Sequence, residues 1–112
     1  MQAEETHWLD NGYIFNIPPK NYHRRVTVPL LMAIAPNGKA KAKHKLYFGG
    51  AWVTEAKAEG ALFPDGGQVP STACNCWNGF IEPNQQVSIQ AQGESSNGGY
   101  VLQGITVFIA NE

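Results

Sequence analysis

Charge is scarce in this chain. Of its 112 residues, 15% are Asp, Glu, Lys or Arg and the formal net charge is -1, whereas about a quarter of a globular chain is usually charged. Copies of such a protein are not held apart by self-repulsion, so assembly is an open option. Long apolar runs are missing as well. The longest, residues 28–35, is strand-sized and interrupted by Pro29, far short of the roughly 18 residues that read as a bilayer-spanning helix. The opening MQAEETHWLD is acidic and has no apolar signal core. The expectation is therefore a soluble chain made in a cytoplasm, without a membrane partner.

Cysteine is nearly absent too. Cys74 and Cys76 stand one residue apart in CNC, a spacing that strains a disulfide. A structural zinc wants four ligands, commonly with cysteines two residues apart, and His7, His23 and His44 are scattered. The thiols are expected to be reduced and packed, the alternatives being a redox pair or a metal shared between subunits; no metal site and no cofactor is assigned. No G-x-S-x-G, P-loop or H-E-x-x-H motif occurs. Cys74 or Cys76 with His23 or His44 as nucleophile and base has no local support. The acids form no pair suited to glycoside hydrolysis. No catalytic residue is assigned, and the chain reads as a non-enzyme.

What the chain has is punctuation. Asn-Gly occurs at 11–12, 37–38, 78–79 and 97–98, Asp-Gly at 65–66, and there are 12 glycines and 7 prolines. These dipeptides accept the positive φ of tight turns. Between them lie short β-branched and aromatic runs at 13–17, 25–35, 39–48, 51–56, 80–81, 86–91 and 100–110. The pattern predicts one antiparallel all-β domain, a β-sandwich over residues 25–112. Residues 1–24, with Pro18 and Pro19, are expected to be an extended amino-terminal arm. The runs at 25–35 and 39–48 flank Asn37-Gly38 and predict a hairpin. Pro29 requires an edge or a bulge in the first of them. The run at 86–91 is expected to pair with 100–110. TEAKAEG at 54–60 could form a helical turn or two, and 64–79 reads as a long loop.

Charge is also segregated. Residues 1–19 hold three acids and no base, residues 20–45 hold seven bases and no acid, and the remainder holds Lys57 against six acids. Lys39, Lys41, Lys43 and Lys45 alternate, so on a strand all four ammonium groups share one face and Ala40, Ala42, His44 and Leu46 share the other. One reading is a solvated face that blocks edge aggregation. The other is a partner-binding strip made by these lysines with Arg24 and Arg25, for an acidic protein surface or polyanionic glycan. Nucleic acid is the least expected target, and none is assigned as a partner, because the stretch has Tyr47 and Phe48 but no pattern of base-stacking platforms and no known motif. Trp52, between Ala51 and Val53, reads as core. Trp77, with Asn75 and Asn78 in the predicted loop, reads as core, as a subunit-interface anchor or as a glycan-stacking residue.

The last 31 residues, EPNQQVSIQAQGESSNGGYVLQGITVFIANE, form a polar entry, an alternating strand, a Ser/Asn/Gly loop and a closing strand. This stretch resembles the final strand pair of tumour-necrosis-factor-like jelly rolls. It is also similar to the small β-domains that decorate phage heads or tip phage fibres. The resemblance implies a jelly-roll-like sandwich, a homo-oligomer of trimeric type, and a capsid or other virion protein as partner. It implies a virion location after assembly in the host cytoplasm, with a carbohydrate- or receptor-binding domain as the alternative.

Overall fold

Alternation of period two runs through most of the chain, and it decides the architecture. The computed structural model describes residues 3–112, and side chains from residue 5 onward. Its elements are all strands: β1 (Ala3–Asp10), β2 (Ile14–Ile17), β3 (Arg24–Ala35), β4 (Lys41–Phe48), β5 (Ala51–Glu59), β6 (Ala61–Leu62), β7 (Gln68–Val69), β8 (Ser71–Ile81), β9 (Val87–Ser96), β10 (Tyr100–Val101) and β11 (Gly104–Asn111). In β3, Val26, Val28, Leu31, Ala33 and Ala35 are buried. In β4 the buried set is Ala42, His44 and Leu46, and in β9 it is Val87, Ile89 and Ala91. One face of each strand must leave water, and two sheets packed face to face accomplish this.

Sheet A runs β1-β11-β3-β8, with the short β10 beside β3 beyond the end of β11. Sheet B runs β2-β9-β4-β5. All pairings are antiparallel. The chain is thus an all-β antiparallel sandwich. A small β6-β7 hairpin, closed by the Phe63 N–H donating to the Gly67 carbonyl at 2.7 Å, projects beside it. The molecule is elongated, 60 × 23 × 19 Å.

Several sequence expectations are corrected by this pairing. β3 and β4 do not form a hairpin. Both present apolar inner faces, so the Asn37-Gly38 turn carries the chain across the sandwich and the two strands stack in opposite sheets. For the same reason β9 pairs with β2 and β4, in the sheet opposite that of β11. The TEAKAEG segment is strand β5, paired with β4 along its length, because a helix this short has too few internal bonds to compete. Most of the predicted loop at 64–79 belongs to β8, which pairs with β3 from Arg24↔Ile81 to Ala35↔Ser71. Asn78-Gly79 lies within that strand, and a Cβ on Gly79 would meet the Trp77 ring at 2.1 Å. The indole lies over the glycine and covers it. The expected arm is drawn into the sandwich: β1 pairs with β11 and β2 with β9. Residues 1 and 2 of that arm lie outside the described residues. Pro29 sits in a bulge between Val28 and Leu31.

Candidate functional site

The two outer faces of the sandwich differ in kind. On sheet B the alternation expected of the lysines is present: Ala42, His44 and Leu46 are buried, and Lys41, Lys43 and Lys45 point outward. Their neighbours change the electrostatics. The register sets Lys41 beside Glu59 and Ser96, Lys43 beside Lys57 and Glu94, and Lys45 beside Glu55 and Gln92. Lys45 Nζ lies 2.7 Å from Glu94, Lys43 Nζ 3.6 Å from Glu55, and Lys57 Nζ 3.1 Å from Glu59. The Lys45–Glu94 hydrogen bond holds the lysine above its ordinary pKa and the glutamate below its own. Lys57 does the same for Glu59, whose pKa is lowered. The stretch that is acid-free in sequence is therefore laced with acids brought in by β5 and β9.

Trp52 is also on this face. It is 53% exposed, not core as its sequence neighbours suggest. Lys45 and Lys43 place their ammonium groups 5.3 and 5.7 Å from its ring centroid, and its Nε1–H donates to the Thr54 carbonyl at 3.0 Å. Lys39 precedes β4. It lies in the turn where its N–H donates to Asn37 Oδ1 and its carbonyl accepts from Asn97 Nδ2.

The two arginines part company. Arg24 is fully buried, with Nε, Nη1 and Nη2 free of hydrogen-bond partners among the described residues, so it offers nothing to a partner surface. Its placement at an inward position of β3, opposite Ile81 and Asn111, is the reason. Arg25 points the other way. It lies 3.5 Å from Glu112 and 5.4 Å from the Phe80 ring on the outer face of sheet A, across the sandwich from the lysines.

That outer face is poor in charge. Its outward positions carry Thr6, Trp8, Thr27, Leu30, Met32, Ile34, Phe80, Tyr100 and Phe108, with Arg25, Asp10 and the terminal Glu112 as the described charged groups. Trp8 is 64% exposed and Phe80 56%, with Tyr100, Phe108 and Leu30 exposed as well. The Trp8 Nε1–H donates to Asp10 at 2.7 Å, which neutralises the one polar atom of the indole. Beside it, Trp8, Pro29, Leu30, Leu102 and Ile105 help line a groove of about 290 Å³.

The residues expected to hold a glycan are already engaged. Trp77 is partly buried against the core, its ring 4.8 Å from that of Phe48. Asn75 donates to Thr54 Oγ1 and to the Glu55 carbonyl, tying β8 to β5. Asn78 accepts from Thr27 Oγ1 at 2.9 Å. Cys74 and Cys76 are free and exposed on the outer side of β8, not packed, with the Cys76 thiol donating to the Pro29 carbonyl. Among the described residues no group of three or more His, Cys, Asp or Glu is placed to hold a metal ion, and no helix is long and apolar enough to cross a membrane.

Sequence reasoning missed the apolar outer face and the placement of Trp52. Trp8 and Phe108 share their strands with buried residues at alternate positions, and that alternation was the available signal. Comparison of the chain with protein-family models, curated proteins and solved structures finds no match. The class the geometry defines is a small β-sandwich with one apolar and one ion-paired outer face.

Proposed function

We propose that this protein is a non-enzymatic structural protein that assembles with copies of itself through the outer face of sheet A. In that state it decorates a larger protein surface of virion type. The observation that carries the reading is the exposed, charge-poor patch of Trp8, Phe80, Tyr100 and Phe108. Exposed apolar patches of this kind mark interaction sites on soluble proteins, and aromatic residues are enriched at interfaces. A second copy suits the patch because the face carries few charges: Arg25 and Glu112 pair with each other, and Asp10 accepts from the Trp8 indole.

The jelly-roll form, the trimeric state, the capsid partner and the virion location are parts of this proposal. The sheet orders β1-β11-β3-β8 and β2-β9-β4-β5 support the first. Apart from the β4-β5 hairpin, and leaving out the short β10, successive strands of the two sheets alternate between them, as in two Greek keys. The others rest on the resemblance of the last 31 residues to phage decoration and fibre-tip domains.

The test is the solution mass by light scattering, at low and at high salt, for the unaltered protein and for Phe108→Lys. Apolar contacts are not screened by salt, unlike exposed ion pairs. The expected result is a salt-resistant trimer that becomes monomeric in Phe108→Lys with its melting temperature little changed. A protein that is monomeric at every concentration, or a variant that assembles as well as its parent, overturns the reading.

A further inference from the structure

The outer face of sheet B carries a cleft of about 360 Å³, lined by Lys41, Lys43, Lys57, Glu59, Glu94 and Ser96 among others. Three adjacent strands supply these residues, in a register fixed by β4 pairing with β5 and β9. The end of the cleft is held by turns: Asn37 Nδ2 donates to the Asn97 carbonyl at 2.9 Å, and Asn97 Nδ2 to the Lys39 carbonyl at 3.2 Å. The backbone at this end of the cleft is therefore set before any ligand arrives, which removes part of the ordering cost of binding.

The chemistry of the lining discriminates between ligand classes. A strip for a polyanion needs cations without nearby anions. Here Lys57 is paired with Glu59, and the Glu94 carboxylate is held by Lys45. A polyanion entering the cleft would approach both carboxylates. Hydroxyl groups have no such difficulty, because each both donates and accepts. The ammonium groups offer donors, the carboxylates offer acceptors, and Ser96 offers both. Trp52 adds the other half of the pattern. Its ring is half exposed, is oriented by the bond from Nε1 to Thr54, and stands next to Lys43, which belongs to the cleft wall. A pyranose presents an apolar C–H face and a rim of hydroxyls. An exposed indole beside paired donors and acceptors matches both surfaces.

We propose that this cleft, with Trp52 at its margin, binds a neutral oligosaccharide. The site lies on the sheet opposite the assembly face and does not depend on it, so either reading can fail alone.

The experiment is a titration followed by saturation-transfer NMR and calorimetry, using maltotetraose, cellotetraose and N-acetylchitotetraose, with a heparin tetrasaccharide as the polyanion. The expected result is saturable binding of at least one neutral tetrasaccharide, insensitive to salt. Trp52→Ala should weaken it by about tenfold or more, a difference well resolved by titration, with an unchanged melting temperature. Should Trp52→Ala perturb the fold, Ser96→Trp on exposed β9 fills the cleft and must abolish binding instead. The proposal is overturned if none of the neutral sugars binds, or if both variants bind as the parent does. Binding of heparin alone, falling with salt, also overturns it and identifies a polyanion strip.

Discussion

His44 shows how much one residue of the lysine strand depends on its phase. It lies between Lys43 and Lys45 yet is fully buried, and neither ring nitrogen completes a hydrogen bond. Burial lowers its pKa below the ordinary value, opposed in part by the backbone of Met32. The folded state therefore holds a neutral imidazole, while the unfolded chain takes up a proton near pH 6.5. Between those two values the unfolded state binds more protons, so stability is fully present above about pH 6.5 and declines as pH falls toward the lowered folded value. His7 and His23 sit on the surface beside Glu5 and Glu82, at 2.8 and 3.3 Å. A His44→Leu variant isolates the buried ring. Urea unfolding from pH 7.5 to 5 should show a loss of stability in the parent that is smaller in His44→Leu. Equal slopes would remove His44 from the account. Arg24 is the second buried polar residue among the described residues, and its inward phase follows from the same alternation that buries Val26 and Val28.

At the scale of the element, the connections are as tightly specified as the strands. Gly60 joins β5 to β6, and a Cβ there would meet the Asn37 carbonyl oxygen at 1.7 Å. That atom is backbone and cannot swing aside, so Gly60→Ala must move the β3–β4 turn or the β6–β7 hairpin. Forced overpacking of this kind costs about 2 kcal/mol, which for a domain of this size lowers the melting temperature by roughly 10 °C. Calorimetry that finds Gly60→Ala as stable as the parent would mean that the two turns do not meet. Strand identity was legible wherever alternation was strong, as in β3, β4 and β9. Sheet membership was not, because an apolar inner face says only that something covers it. Nor was the placement of Trp52. Glu55, Lys57 and Glu59 point outward in regular phase, which would turn Trp52 inward. A bulge between Thr54 and Trp52, opposite Leu46 and Tyr47, adds one residue and reverses the phase. No local residue type announces that bulge, whereas Pro29 announced the one in β3. The lysine strip was legible as a shared face, but its neutralisation by Glu55, Glu59 and Glu94 came from strands whose pairing the sequence did not reveal.

The whole molecule is a slab with unlike sides, and that asymmetry can be read chemically. Cys74 is an exposed thiol on the outer side of β8, opposite Met32, in the same sheet face as Phe80 and Phe108. The lysines of β4 and β5 stand on the other side of the sandwich. If copies meet through sheet A, assembly removes Cys74 from solvent and leaves the lysines where they were. Dilution reverses assembly by mass action. The rate of Cys74 modification by a maleimide, measured in Cys76→Ser so that one thiol is followed, should fall severalfold as protein concentration rises. Lysine acetylation over the same range should keep a constant rate. The Phe108→Lys variant should show rapid, concentration-independent thiol modification throughout. The opposite footprint, with protected lysines and an open thiol, would place the contact on sheet B and leave the aromatic patch without its partner. It would also close the cleft beside Trp52 in the assembled state, so that saccharide binding and self-association would compete. Independent sheets predict instead that a saturating neutral sugar leaves the scattering mass unchanged.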